Sequence, residues 1–263
     1  MAAFFRDNLG QKEHYRRMVN GRRPTKNLFS CGYYERFDPF IFEQKPFLRS
    51  VYDDIFKEWF PSRVDSILDI GCGTCLYWPV LKNYSRSITG VDSSAEMLSA
   101  ASGLIRKMGW DSVKLVQYDG YRLDFPEGSF DAIVCVDLLH HVSHLEQMLP
   151  QIFYLLKPGG RLFILEPNAL NPLIFVAHLI PAEERRAITR NFAFKFRRLL
   201  SPYFQDIQIR YDFLIMSVSS ESGLRMVRKI GRLLTAFFPP FRYLGFRMML
   251  SMRKPNNIKK YAD

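Results

Sequence analysis

Cysteine is scarce here: four residues in 263, Cys31, Cys72, Cys75 and Cys135. They are too few and too unevenly spaced for a disulfide framework, which points to a reducing compartment. Long apolar runs are missing as well. The nearest, "LNPLIFVAHLIPA" and "LLTAFFPPFRYLGFRMML", are broken by Pro, His or Arg, short of the roughly 18 uninterrupted apolar residues of a spanning helix. The chain is therefore expected not to cross a membrane. The start, "MAAFFRDNLGQKEHYRRMVNGRR", has no apolar core before a small-residue cleavage site, so no signal peptide is expected and the location reads as cytoplasmic. Internal repeats and low-complexity segments are absent, which excludes solenoids. Acidic residues are scarce at both ends. Residues 1–30 hold seven Lys/Arg against two Asp/Glu, residues 31–160 twelve against seventeen, and residues 161–263 eighteen against seven. Basic, aromatic flanks around a mildly acidic middle suit contact with an anionic partner.

What is present is an alternation. "SILDIG", "SITGVD", "VKLVQYD", "DAIVCVD" and "RLFILEP" read as short buried strands. "LYWPVLKNY", "AEMLSAASGLIRKMG" and "HLEQMLPQIFYLLK" lie between them with helical character, and Gly159 or Gly160 of "KPGG" is expected to cap the last of these helices. Strands alternating with helices predict βαβ units and a parallel sheet covered on both faces. Residues 33–60 read as one or two amphipathic helices. After Pro167 come "NALNPLIFVAHLI", a basic helical stretch "AEERRAITRNFAFKFRRLL", a strand "QDIQIRYDF", the segment "SVSSESGLRMVRKIGRLLTAFFPP" and a last strand candidate, "FRMMLSMRKP".

The first strand runs into Asp69-Ile70-Gly71-Cys72-Gly73. In an open parallel sheet, ligands bind beyond the carboxyl ends of the strands, where glycines let the backbone approach and turn. Asp92 ends the next strand, where its carboxylate can take a ribose diol. That pair alone does not separate a dinucleotide from another adenosine cofactor. Leu76 stands where a dinucleotide fingerprint would want its third glycine, and Asp69 would repel a pyrophosphate but suits an ammonium or sulfonium centre. Asp119, in "YDG", is available to an adenine amino group.

At this point the sequence resembles a known family. "ILDIGCGTC", "GVDSSAEML", "VQYDG", "FDAIVCVDLLHHV" and "LLKPGGRLFILEPN" look like the ordered motifs of class I S-adenosylmethionine-dependent methyltransferases of small-molecule or lipid type. The resemblance covers about residues 64–168. It implies an α/β, Rossmann-like, seven-stranded and mostly parallel sheet with helices on both faces. It also implies one methyltransferase domain over 1–263: a helical cap (1–60), a cofactor core (61–168), then lid insertions after strands five and six with the last two strands (169–263). Gly71 and Gly73 would lie against the methionine part of the cofactor, with Asp69 near its amino group. Asp92 would take the ribose hydroxyls, Met97 the adenine face, and Asp119 with Gly120 the adenine edge. Asp137 would sit beside the sulfonium. Cys75 departs from the family's usual glycine. Cys72 and Cys75 then flank a ligand turn rather than form a redox dithiol.

Among "DLLHHVSH", His140 or His141 is the candidate general base, and packing or capping by one of them is the alternative. No carboxylate spacing supports a metal site with His144. Glu166 is expected to bind substrate or to cap the loop after it. Tyr33 and Tyr34 would fold over the cofactor or pack in a helix. The segments 167–200 and 214–245 are long, apolar and basic, and residues 225–254 interleave Arg and Lys with Leu, Phe, Met and Tyr. That pattern suits an element in a lipid headgroup layer, peripheral to the inner membrane face, or else an ordinary lid. The expected reaction is methyl transfer to a hydroxyl or amine of a lipid-like or lipid-linked small molecule. A soluble metabolite is the alternative acceptor. Nucleic acid is disfavoured, since no Asn/Asp-Pro-Pro-aromatic turn follows the fourth strand and no RNA-binding module is visible. A non-catalytic scaffold fits poorly with the intact Gly71, Gly73, Asp92 and Asp119 set.

Overall fold

The computed structural model describes residues 37–179, 185–214 and 220–256; Tyr33 and Tyr34 lie outside them. Seven strands form one sheet in the order β3-β2-β1-β4-β5-β7-β6. They are β1 (Val64–Ile70), β2 (Ser85–Asp92), β3 (Val113–Gln117), β4 (Phe130–Val136), β5 (Leu156–Pro167), β6 (Gln205–Asp212) and β7 (Arg247–Arg253). All neighbours pair parallel except β7, which runs antiparallel to both β5 and β6. This is the Rossmann-like, mostly parallel sheet read from the sequence. The order reverses between β1 and β4, so a crevice opens beyond their carboxyl ends.

Helices cover both faces. α1 (Ile41–Gln44) and α2 (Pro46–Trp59) precede the sheet. α2 buries Leu48, Val51, Tyr52, Ile55, Phe56 and Trp59, an i, i+3, i+4, i+7 stripe. Its Trp59 stacks on Phe163 of β5 with ring centroids 5.0 Å apart. α3 (Trp78–Leu81) and α4 (Ala95–Met108) follow β1 and β2. Ser94 caps α4 by accepting from the Met97 amide, and Gly109, at φ +62°, closes it in the left-handed region. The other face holds α5 (Leu145–Leu155) and α8 (Ala193–Leu200), which bury Met148, Ile152, Phe196 and Leu200 against β4, β5 and β7. After β5 come α6 (Pro172–Leu179) and α7 (Arg185–Ile188). α9 (Glu221–Phe237) and a 3-10 turn (Pro239–Leu244) join β6 to β7.

Two expectations are corrected. The glycines of "KPGG" do not cap α5. The helix ends at Leu155 and β5 begins at once. Lys254, buried at the far end of β7, reaches back and donates through Nζ to the carbonyls of Phe153 and Leu156, both at 2.7 Å. Gly160 is instead needed for close strand approach, since a Cβ there would stand 2.8 Å from the Lys157 carbonyl. The basic stretch after residue 182 is also not one helix. It breaks between α7 and α8, where the Asn191 carbonyl accepts from the Ala169 amide at 3.1 Å.

Replacing Lys254 by Met keeps the apolar stem but orphans two buried carbonyls. A loss of about 1–3 kcal/mol is expected, measured by urea unfolding with an unchanged m-value.

Candidate active site

The crevice is a cavity walled by the turn after β1 (Gly71, Cys72, Gly73, Thr74), by Asp92, Met97 and Gly120, and by Asp137, Leu138, His141 and His144 after β4; Tyr52 of α2 and Tyr118 complete it. The turn is built by backbone geometry. The amides of Gly71 and Cys72 both donate to the Val91 carbonyl. Gly71 has φ +70°, and a Cβ would stand 2.7 Å from Leu138 Cδ1. Gly73 has φ +53° with nothing within 4 Å of where its Cβ would lie. Only glycine keeps that space empty without strain. Asp92 spans two turns, accepting from the Gly73 and Ser94 amides, each at 2.9 Å. Burial pushes its carboxyl up, and these amides work against that. Thr74 Oγ1 is buried without a hydrogen-bond partner among the described residues. An empty backbone cradle, a fixed carboxylate and an orphaned hydroxyl fit a ligand with ribose hydroxyls and an amino-acid head.

Opposite them, Asp137 sits at φ +52°, a conformation that aspartate tolerates better than most residues. Arg247, from antiparallel β7, forks onto it, with Nη2 donating to Oδ2 at 2.7 Å and Nη1 to Oδ1. Burial pushes the Arg247 guanidinium down, but the facing Asp137 outweighs it and raises it above its ordinary value. His144 donates from Nε2 to the Gly120 carbonyl at 3.2 Å and stacks on Tyr121. It thus pins the β3 end to the β4 end.

Several sequence-derived site residues lie elsewhere. Asp69 does not line the cavity. Its carboxyl is fully buried, accepting from Tyr77 Oη at 2.6 Å and Trp78 Nε1 at 2.7 Å. Burial raises its pKa to about 7 although both donors pull it down. Asp119 is exposed, and its Oδ1 accepts from the Tyr121 and Arg122 amides; it shapes the bend that presents Gly120 and does not itself face the cavity. Glu166 is 0% exposed and does not face the crevice. It holds the turn: Oε1 accepts from the Leu138 and Leu139 amides at 3.1 and 2.6 Å, while Oε2 meets His140 Nδ1 and Asn191 Nδ2. His140 is therefore buried against Glu166 and off the cavity wall, whereas its neighbour His141, with ring centroids 3.9 Å apart, is on that wall. Cys72 and Cys75 are free and buried, and burial pushes both thiols up, away from redox-active thiolates. Cys75 takes φ +60° where the family more often has glycine.

Sequence reasoning missed Thr74, Tyr118, Asn191 and Arg247. Thr74 sits inside the glycine motif and was within reach. Arg247 was not, because 110 residues separate it from its partner Asp137.

The Asp69 carboxyl gains a proton on folding, since its folded pKa of about 7 exceeds the unfolded value of 3.8. Its contribution to stability is present below pH 4 and lost as pH rises toward 7. Asp69→Asn is expected to flatten the melting temperature profile across that window in thermal scans of both proteins.

Comparison with known proteins agrees with this architecture. Residues 68–164 match the family described as a methyltransferase domain. The uncharacterized methyltransferase YcgJ of Bacillus subtilis is 29% identical over 157 residues, covering 56% of this chain and 62% of its own. Its crystal structure superposes with a TM-score of 0.57 at 21% identity, over 79% of this chain and all of that one. The mitochondrial ubiquinone biosynthesis O-methyltransferase of Mus musculus is 32% identical over 142 residues, 52% of this chain and 37% of its own. The phosphatidylethanolamine N-methyltransferase of Cereibacter sphaeroides is 35% identical over 104 residues, 39% of this chain and 51% of its own. The chain thus spans between 37% and 62% of the length of these curated relatives. Two further solved neighbours of the same fold hold S-adenosylhomocysteine or S-adenosyl-L-methionine. Sequence and fold agree: residues 68–164 match the methyltransferase-domain family, and they lie in a sheet of the same fold as these solved structures.

Proposed function

We propose that this chain transfers a methyl group from S-adenosylmethionine to a hydroxyl or amine of a lipid-like or lipid-linked small molecule. The observation that carries the reading is one cavity holding both the glycine cradle with Asp92 and, across from it, the imidazole of His141. Lipid-like acceptors are supported by a relative named for phosphatidylethanolamine and by the apolar side chains exposed after β5 and β6.

The bound cofactor supplies a methyl group on a positive sulfur, ready for in-line displacement. The protein's part is to bind, orient and deprotonate. Asp92, fixed by two amides, has lone pairs left that would take the ribose hydroxyls, and Met97 would pack on the adenine. Gly71 and Gly73 would admit the methionine part, and Gly120 would lie along the adenine edge. Asp137 would face the sulfonium side, with Arg247 holding its carboxyl group in place. His141 takes the acceptor's proton. His140 and Glu166 act through it, holding the turn from beneath.

His141→Ala is expected to lower kcat by about 10²–10⁴ while cofactor affinity by calorimetry stays within about twofold. Asp92→Ala is expected to cost at least about tenfold in that affinity, the loss of a charge-assisted hydrogen bond. The reading itself is tested with radiolabelled cofactor and either extracted lipids or soluble metabolites. Label in the organic phase supports it. Label confined to aqueous metabolites transfers the reading to a soluble acceptor, and label in RNA or DNA overturns it.

A further inference from the structure

The helix α9 carries more apolar surface than its fold uses. Leu224, Arg228 and Gly231 form its buried face. Gly231 lies so close to Phe213 that a Cβ would come within 2.3 Å of the ring. Arg228 locks the orientation, donating to Asp212 from Nε at 3.2 Å and Nη2 at 2.8 Å. With that face fixed inward, Met226, Ile230, Leu233, Leu234 and Phe237 point outward at i, i+4, i+7, i+8 and i+11. All five are exposed, Phe237 at 87%, and Phe238 continues the stripe.

Between the buried and apolar faces runs a third row, Arg225, Lys229 and Arg232, also exposed. Glu221, in the first turn, is the one acid of the helix, and it accepts from the Phe47 amide. Arg242 in the following turn adds another exposed cation. A soluble surface rarely leaves six large apolar side chains along one fixed helix edge.

The placement matters as much as the composition. α9 leaves the sheet at the carboxyl end of β6 and its chain returns at the start of β7, and Asp212 and Arg247 there pair in register beside Pro167. That is the rim on which the cavity opens. Asn168 ties the turn after α9 to this rim, donating through Nδ2 to the carbonyls of Tyr243 at 2.8 Å and Gly245 at 2.7 Å. α6, which starts from the same rim, exposes Leu173 and Val176.

We propose that the Met226–Phe238 face of α9 is a docking surface for an anionic lipid bilayer. The apolar edge enters the acyl boundary, and Arg225, Lys229 and Arg232 meet the phosphates. Charge complementarity selects this occupant. A second copy would bring the same row of cations against itself, whereas an anionic bilayer neutralises it. The proposal holds whatever the acceptor is, because docking needs no turnover.

The test is sedimentation of the full-length chain with vesicles, without cofactor. Strong binding is expected to phosphatidylglycerol/phosphatidylcholine vesicles, at least tenfold weaker binding to pure phosphatidylcholine, and at least tenfold loss in 0.5 M salt. Phe237→Ser with Phe238→Ser, and separately Arg225→Glu with Lys229→Glu and Arg232→Glu, are each expected to reduce binding at least tenfold with an unchanged circular dichroism melt. Equal binding by the variants, no binding to anionic vesicles, or no preference for them overturns the proposal. So does a dimer in analytical ultracentrifugation that Ile230→Ser dissociates, which assigns the face to a second copy.

Discussion

A single buried carboxylate organises the reactive side of this molecule. Glu166, at the end of β5, accepts two backbone amides and faces an imidazole and a carboxamide. A carboxyl group shut away from solvent is costly unless its oxygens are engaged in hydrogen bonds. Here the engagement shapes the chain. The turn from Leu138 to His141 closes on Glu166, His140 is drawn down into the interior, and His141 is left on the cavity wall as a consequence. The imidazole that faces the ligand is thus chosen by what its neighbour does underneath.

A second carboxylate works the same way on the cofactor side. Asp92 joins the glycine turn to the start of α4, so two loops from successive strands move as one body. The two anchors differ in exposure. Glu166 is sealed and structural, while Asp92 stands partly open and keeps acceptor capacity toward the cavity. Asp69 is the contrasting case. It sits in the same motif, yet Tyr77 and Trp78 consume it, and its raised pKa reflects burial rather than ligand work.

The strands up to Pro167, the helices between them and the glycine turn were legible because they depend on local pattern: β-branched runs, helical spacing, and glycines at strand ends. The seven-stranded sheet was implied by the family resemblance, and its order came only with the structure. Asp92, Met97, Gly120, Asp137 and His141, named from the family resemblance and the histidine cluster, all line the cavity, each within a few residues of a strand's carboxyl end. The misreadings share a cause. Strand periodicity locates a residue along the chain but does not say which neighbour claims its side chain. Asp119 spent its carboxylate on its own bend, and Glu166, expected to meet substrate or the loop after it, spent its on the earlier turn that follows β4. Lys254 capping α5 and Arg247 on Asp137 are contacts between residues about a hundred positions apart, and no local rule reaches them.

The segment that matches the methyltransferase family stops at residue 164, short of Glu166, Asn191 and Arg247. The part of the chain that is most recognisable is therefore not self-sufficient. Cut at that boundary, it would keep the berth for the nucleoside but leave Asp137 without its counter-charge and the histidine turn without its clasp. The tail beyond the match buttresses the cavity from behind its wall, through Arg247 on Asp137 and through Glu166 and Asn191 beneath the histidine turn. A substitution at Arg247, Glu166 or Asn191 thus reaches the cavity only at second hand, through Asp137 or the histidine turn, because none of the three lines it.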